Sequence, residues 1–180
     1  MHGAMFEQLK LFKKIIVTGA QRSGTTICAQ MIAHDLRLRY VDENEVGIAD
    51  WVKIRRLVDS NQEFVLQCPQ LSSKCHEYAS NDVAIVFMLR DIEDIIKSEN
   101  RINWGGYRRD ELRITGHKHG IVSYIKRRLW FKKQKRLIPH AFEIVYESLS
   151  AHPFWVPKDK RTNQVGRDTF VKDINAWLEL

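Results

Sequence analysis

The sequence predicts an α/β fold in three layers, α/β/α, with a mainly parallel central sheet covered by helices on both faces. Strand-like and helix-like stretches alternate along the chain, which is the order expected when crossover helices join parallel strands. Residues 15–17 and 83–89 are continuously apolar, as expected for strands buried on both faces. A loop with glycines at both ends follows the first of these runs, at the sheet edge where such folds bind ligands.

The predicted elements follow one another in a regular order. Strands are predicted near residues 14–18, 38–42, 64–68, 83–89 and 141–146. Helices are predicted near residues 25–34, 47–59, 71–79, 92–100, 118–136 and 168–180. Residues 103–116 and 151–166 contain adjacent glycines or two prolines, which favours loops of the kind that cover a site.

The length of 180 residues suits one domain. We expect that domain to span residues 1–180, with residues 1–12 as a tag or flexible start. The chain has neither a signal-peptide pattern nor an apolar run of about eighteen residues, so a cytoplasmic protein without a membrane span is expected. Cys28, Cys68 and Cys75 form no C-x-x-C pair, which favours reduced thiols over disulfides or a zinc site.

Residues Gly19 to Thr26 read G-A-Q-R-S-G-T-T and are predicted to bind phosphate. The glycines allow a tight turn whose N–H groups converge on one anion, beside the positive end of the next helix. The Walker pattern G-x-x-x-x-G-K-[ST] has lysine where this chain has Thr25, and the cation of the loop is Arg22 instead. A P-loop NTPase-like fold is therefore predicted, with ATPase, GTPase or kinase activity as the weaker interpretation. A simple helix start capped by Ser23 or Thr25 is the alternative.

The run from Arg22 to Thr26, R-S-G-T-T, resembles the 5′-phosphosulfate loop of the sulfotransferase family, whose members have Lys or Arg before S-G-T-T or S-G-S-S. A second resemblance is Arg90, followed eight positions later by Ser98. In the family this pair binds the 3′-phosphate of the donor, 3′-phosphoadenosine 5′-phosphosulfate (PAPS). An arginine that pairs with Asp94 on a helix surface, beside a solvated Ser98, is the alternative. Residues 145–149, V-Y-E-S-L, are similar to the Y-E-x-L segment of many members.

The resemblance implies a PAPS-dependent sulfotransferase in one sulfotransferase-like domain. Such an enzyme moves a sulfuryl group to a hydroxyl or amine of an unidentified acceptor by in-line transfer, without a metal ion. Arg22 is then the cation that stabilises the transferring group. The residues that the resemblance assigns to PAPS are Gln21, Arg22, Ser23, Gly24, Thr25, Thr26, Arg90, Ser98 and Arg167.

The general base is predicted to be a carboxylate after the second strand. Cytosolic members use the His of a K-x-H segment, but the corresponding residues here are Gln67-Cys68-Pro69. The tyrosyl-protein branch uses a Glu downstream of the arginine of the loop, which matches Glu43, twenty-one residues after Arg22, with Glu45 as its rival. Burial that raises the pKa of such a carboxyl would help it accept a proton. An acidic turn that caps the helix near residue 47 is the alternative, and His76 is a third candidate base.

The formal charge of +7 is concentrated in residues 126–136, K-R-R-L-W-F-K-K-Q-K-R. This stretch is interpreted either as a surface for an anionic partner or as a solvated helix whose aromatic face packs on the sheet. Carbohydrate, small-molecule and protein hydroxyls all stay open as acceptors, as does a homo-oligomer. No nucleic-acid module pattern accompanies the basic stretch, so nucleic acid is not the expected partner.

Two other functional classes stay open. A divergent P-loop nucleotide or nucleoside kinase would need a carboxylate for Mg²⁺ at a strand end, and Asp91 is the candidate. A non-catalytic protein that binds an anion or nucleotide would keep the loop without the chemistry.

Overall fold

The computed structural model describes residues 5–47, 50–101, 125–126 and 128–155. The strands are β1 Lys14–Gly19, β2 Arg39–Asp42, β3 Phe64–Gln67, β4 Val83–Leu89 and β5 Ala141–Val145. They form one sheet in the order β2-β3-β1-β4-β5, and each neighbouring pair is parallel. The predicted α/β fold with a parallel sheet is thereby confirmed.

The described α-helices are α1 Thr25–Leu36, α2 Trp51–Asp59 and α3 Ile92–Arg101. Residues 125–126 and 128–134 are also helical, and residues 128–134 are called α4 below. Short 3-10 helices are Glu7–Leu9, Pro69–Ser73, Cys75–Tyr78, Lys135–Leu137 and Tyr146–Ala151. The predicted helix 168–180, the predicted loop 103–116 and residues 118–124 of the predicted helix 118–136 lie outside the described residues, as do residues 1–4 and 156–166.

The helix predicted over residues 71–79 is wrong in type, because two 3-10 helices occupy that stretch. Lys74, between them, has a φ of −134° and a ψ of 9°, outside the α-helical region. The side-chain amide of Gln134 donates to the carbonyls of Ser72 and Ser73, at 3.4 and 2.8 Å. A continuous α-helix would direct those carbonyls to N–H groups four residues later, so the contact with α4 replaces helical hydrogen bonds.

Two apolar cores lie on opposite faces of the sheet, and β1 contributes to both. Ile15 and Val17 belong to the core that includes Cys28 and Ile32 of α1. Ile16 belongs to the other core, with Phe87 of β4. Successive side chains of a strand point to opposite faces, so the uninterrupted apolar run of β1 is explained by burial on both sides.

Residues 128–134 attach to the second core through one aromatic residue. The Phe131 ring is fully buried and stacks on Phe87, with ring centroids 4.3 Å apart and an interplanar angle of 11°. Leu129 and Trp130 are exposed. One aromatic side chain of the basic stretch therefore packs on the sheet, while its neighbours face solvent.

Replacing Phe131 with alanine is expected to lower the free energy of unfolding by about 4 kcal/mol, because it leaves a cavity against Phe87. Leu129→Ala removes a side chain of comparable size from the exposed face and is expected to change stability by less than about 0.5 kcal/mol. Urea denaturation of both variants measures the difference. Equal effects of the two substitutions would contradict the packing of Phe131 on the sheet.

The three cysteines are free and buried. Burial raises the pKa of the Cys75 thiol to about 12 and raises the pKa of Cys28 further still. Such thiols stay protonated at neutral pH and are poor nucleophiles. Within the described ranges, no three His, Cys, Asp or Glu residues are grouped so as to hold a metal ion. None of the helices in these ranges is long and apolar enough to cross a membrane.

Candidate functional site

The loop between β1 and α1 has the backbone shape of an anion site. Arg22 and Gly24 both lie in the left-handed region, with φ values of 64° and 94°. The hydroxyl of the buried Ser23 donates to the Ala20 carbonyl at 2.7 Å, which closes the turn. Turns that alternate right- and left-handed residues direct successive N–H groups into one concavity. Thr25 and Thr26 begin α1, so their N–H groups belong to the first turn of the helix, which has no helical acceptors.

The ring of Tyr146, the residue that follows β5, packs against the loop. The Tyr146 ring lies so close to Gly24 that a Cβ at that position would be 2.3 Å from its Cδ2. The Arg90 guanidinium also lies over the Tyr146 ring, 4.0 Å from the ring centroid. The next residue, Glu147, accepts the N–H of Asp91 at 3.4 Å. The Y-E pair therefore contacts the R-D pair that follows β4, which gives Tyr146 a place in the site that its sequence motif alone did not assign.

The loop and the two residues of the second motif meet. Arg22 Nε donates to Ser98 Oγ at 3.1 Å, and Arg90 Nη1 donates to the Arg22 carbonyl at 2.7 Å. These contacts join residues 76 and 68 positions apart in the chain. Ser98 is therefore bonded to the loop instead of being only solvated. Arg90 also approaches Asp94, but at 3.9 Å between Nη2 and Oδ2 the ion pair is long.

Arg90 keeps an unused donor in a buried position. Its side chain is 8% exposed, and its Nε has no hydrogen-bond partner among the described residues. A buried N–H without an acceptor costs free energy and is uncommon in folded proteins. An anionic ligand at this position would supply the missing acceptor.

Thr25, at the position of the Walker lysine, is linked to the sheet by a neutral hydrogen bond. Its Oγ1 accepts from Nε2 of Gln67 at 3.2 Å, and both side chains are buried. Gln67 Oε1 has no hydrogen-bond partner within the described ranges. The charge that a Walker loop places after its second glycine is absent here, and the guanidinium of Arg22 is the cation within the loop.

Replacing Thr25 with valine is expected to destabilise the protein by about 1–2 kcal/mol, because the buried Gln67 amide loses its hydrogen-bond acceptor. The double variant Thr25→Val/Gln67→Leu removes both partners and is expected to recover most of that loss. Thermal unfolding of the two variants makes the comparison. If the double variant is the less stable one, the two side chains are not coupled as described.

Three carboxylates lie at the end of β2 and in the turn after it, and two of them, Asp42 and Glu43, are buried. Glu45 accepts from Arg39 at 2.9 Å and from the Asp42 N–H at 3.1 Å. Asp42 accepts from the Tyr40 hydroxyl and the Asn44 N–H, both at 3.0 Å. Glu43 is 4% exposed. Of the two predicted bases, Glu43 is buried, as is Asp42, whereas Glu45 is exposed and bonded to Arg39.

The register of the sheet gives the position of Glu43 relative to the loop. Asp42 is level with Gln67 of β3, which is level with Val17 of β1. Two interstrand spacings separate β2 from β1, or about 10 Å. Glu43 and Gly19 follow these residues at the same edge. Glu43 therefore follows a strand that lies two positions from β1 in the sheet, at the same edge as the loop.

The acidic turn does not cap the helix near residue 47. The helix α2 begins at Trp51, and its cap is Asp50, whose Oδ1 accepts the Lys53 N–H at 3.1 Å. This backbone hydrogen bond holds the pKa of Asp50 below its usual range. The predicted helix start at residue 47 is too early, and Asp50 supplies the cap that had been attributed to the acidic turn.

The remaining candidates have structural contacts or lie outside the described residues. His76 Nδ1 lies 2.8 Å from Gln134 Oε1 in a contact with α4. Asp91 Oδ1 accepts the N–H groups of Glu93 at 2.8 Å and Asp94 at 3.3 Å, so this carboxylate caps α3. Gln21 lies in the loop and is partly buried. Arg167 lies outside the described part of the chain.

Two shikimate kinases and a gluconokinase are among the solved structures that are similar to this chain. Shikimate kinase from Bacteroides thetaiotaomicron is 12% identical with a TM-score of 0.50, and the match covers 93% of this chain and 98% of that one. A gluconokinase from Sinorhizobium meliloti 1021 is 13% identical with a TM-score of 0.44 over 94% and 93% of the chains. Shikimate kinase from Acinetobacter baumannii in complex with shikimate is 16% identical with a TM-score of 0.45 over 96% and 97%. No protein-family model matches the chain, and no curated protein matches it. At this identity the similarity shows the fold alone, which is an α/β fold with a five-stranded parallel sheet.

Proposed function

We propose that the chain is a sulfotransferase that moves a sulfuryl group from PAPS to a hydroxyl or amine of an acceptor. The observation that carries this proposal is the contact between the two anion-binding motifs. Arg22 donates to Ser98, and Arg90 donates to the carbonyl of Arg22. Two short motifs that are far apart in the sequence thus form one cationic site, as a donor with phosphates at two positions requires.

The described residues fit such a donor. The loop N–H groups and the hydroxyls of Thr25 and Thr26 would hold the 5′-phosphate, and Arg90 with Ser98 would hold the 3′-phosphate. The buried Nε of Arg90 has no partner among the described residues, and a phosphate oxygen can accept its hydrogen bond. PAPS would supply the sulfuryl group when it is bound. The proposed transfer needs no residues that bind a catalytic metal ion.

Transfer at this site would use one cation and one carboxylate. The acceptor oxygen or nitrogen forms a bond to sulfur while the bond from sulfur to the 5′-phosphate oxygen breaks. Arg22 stabilises the negative charge that develops on the leaving phosphate. Glu43 accepts the proton of the acceptor, a role that suits a carboxylate buried at the same sheet edge.

A small-molecule kinase is the second candidate, and the similarity in fold to shikimate kinase favours it. Phosphoryl transfer by that class depends on a loop lysine and on a carboxylate that holds Mg²⁺. Thr25 stands in place of the lysine, and Asp91 uses Oδ1 to cap α3. These two observations support sulfuryl transfer over phosphoryl transfer.

Calorimetric titration separates the two candidates. We expect the protein to bind 3′-phosphoadenosine 5′-phosphate, the desulfated product, without Mg²⁺ and more tightly than ATP with Mg²⁺. Arg90→Lys keeps the charge but loses the planar fork and should weaken this binding about tenfold or more. Arg55→Lys is the matched control, because Arg55 also lies over a tyrosine ring, that of Tyr78 at 4.4 Å, but on α2.

Preference for ATP with Mg²⁺ would overturn the sulfotransferase proposal and leave the kinase. Binding of the bisphosphate without transfer to any acceptor in a panel of phenols, alcohols and amines would leave a non-catalytic binder. Where transfer is found, Glu43→Gln should abolish most of it and leave the affinity for the bisphosphate unchanged, while Glu45→Gln should affect the rate less.

A further inference from the structure

Three apolar side chains of the helical residues 125–126 and 128–134 are exposed, whereas two other side chains of this stretch pack on the rest of the protein. Ile125, Leu129 and Trp130 are 47%, 59% and 42% exposed. Phe131 and Gln134 are buried. Within the helical residues 128–134, Leu129 lies about 160° around the helix from Phe131, and Trp130 lies on the flank, about 100° from Phe131.

Lysines surround these apolar side chains. Lys126, Lys132 and Lys133 are exposed on the same stretch. Together with the three apolar residues they form what we call the outer face. The sequence has seven Lys and Arg residues between positions 126 and 136 and no acidic residue there. Lys135 has a partner in Glu143, at 3.5 Å, but for Lys126, Lys132 and Lys133 the described residues show no ion pair. The outer face is thus both strongly cationic and apolar.

We propose that the outer face binds the surface of an anionic phospholipid bilayer. Helices that lie in the membrane interface combine Lys and Arg with Trp and Leu in this way, because the lysines reach the headgroups while the apolar groups enter the acyl boundary. Each Lys or Arg near an anionic membrane adds favourable binding free energy. The proposal does not depend on the reaction at the loop.

Other anionic partners fit the outer face less well. A polysaccharide or nucleic acid would neutralise the lysines but offer little apolar volume for Ile125 and Leu129. A protein interface is ordinarily depleted in lysine and enriched in arginine and aromatic residues. A bilayer with anionic headgroups provides both the negative charge that complements the lysines and an apolar phase for the exposed apolar side chains.

Co-sedimentation of the full chain with vesicles tests the proposal. Vesicles of phosphatidylcholine alone are compared with vesicles containing about a quarter phosphatidylserine. We expect binding only to the second kind, weakened by salt. Lys132→Gln/Lys133→Gln should reduce partitioning about 25-fold, since each cation contributes about fivefold. Ile125→Ser/Leu129→Ser should reduce it about tenfold or more.

Two control variants remove the same chemistry elsewhere. Lys10→Gln/Lys13→Gln removes two exposed lysines before β1, and Leu11→Ser removes an apolar side chain that is 87% exposed. Both should bind vesicles like the parent protein. Brominated acyl chains should quench tryptophan emission of the parent more than that of Trp130→Phe.

Three results would overturn the proposal. The first is no binding to anionic vesicles, and the second is an equal loss of binding in the control variants, which would indicate only the net charge of the chain. The third is binding of soluble poly-glutamate without binding of vesicles, which would replace the bilayer by an acidic polypeptide. A loss of binding confined to the outer-face variants would support it.

Discussion

Replacing Gly24 with alanine is expected to lower the free energy of unfolding by about 3 kcal/mol. A methyl group at this position would lie 2.3 Å from Cδ2 and 2.6 Å from Cε2 of the Tyr146 ring. An L-residue at φ 94° adds a backbone cost of about 1–2 kcal/mol, and the clash adds about 1–3 kcal/mol. Because Tyr146 also supports the Arg90 guanidinium, the same substitution should weaken anion binding. Urea denaturation and titration with 3′-phosphoadenosine 5′-phosphate measure the two effects.

Gly47→Ala isolates the backbone part of this cost. Gly47 has a φ of 79°, but the nearest atom to an added methyl group is Asp50 Cβ, at 3.2 Å. We expect a loss of about 1 kcal/mol from this variant and no change in anion binding. The double variant Gly24→Ala/Tyr146→Ala should cost less than the sum of its single substitutions, by about 1 kcal/mol or more. Additive effects would mean that the ring does not constrain the loop.

The strands of the sheet were the most predictable part of the fold. The bounds predicted for β4, residues 83–89, are those observed, because a strand buried on both faces is uniformly apolar and ends where polar Arg90 begins. The prediction of a helix over residues 71–79 was wrong in type, because it considered only the local sequence pattern. The carbonyls of Ser72 and Ser73 bond to Gln134, which is about sixty positions away in the chain.

The site was predictable where it depends on motif and spacing. Arg90 precedes α3 and Ser98 lies about two turns along from it, and the structure brings both to Arg22. The role of Tyr146 was not predictable, because it depends on β5 lying beside β4 and on a ring that fills the space left by Gly24. A glycine in a loop indicates that something approaches closely, but its sequence position does not identify the neighbour.

The roles of the carboxylates after β2 depend on contacts in the same way. Spacing from Arg22 selected both Glu43 and Glu45, and burial in the folded chain distinguishes them. Glu45 is held by Arg39, whereas Glu43 is buried at the sheet edge. The sequence supplied the candidates, and the geometry of the turn favours one of them as the proposed base.

Replacing Arg22 with glycine is expected to reduce the proposed sulfuryl transfer about 10²- to 10³-fold while leaving stability almost unchanged. Removal of one preorganised charge stabiliser typically has an effect of this size on the rate. The φ of Arg22 is 64°, where an L-residue is strained, so glycine relieves about 1–2 kcal/mol in the folded chain. The greater freedom of glycine in the unfolded chain offsets about 0.5–1 kcal/mol of that gain. The variant therefore separates loss of the cation from loss of the fold.

Arg37→Gly is the matched control for this substitution. Arg37 is the other non-glycine residue with a positive φ in the described ranges, at 55°, and it is the exposed cap of α1. The same relief of backbone strain and the same loss of charge occur there, away from the loop, so the transfer rate should not change.

The measurement is the rate at which labelled sulfuryl moves from PAPS to the best acceptor of the panel, together with the unfolding midpoint of each variant. Arg22→Lys should restore part of the rate, because the ammonium keeps the charge at the leaving phosphate. If Arg22→Gly transfers as fast as Arg37→Gly, the cation of the loop has no part in the reaction, and the charge must be stabilised by Arg90 or by the backbone alone.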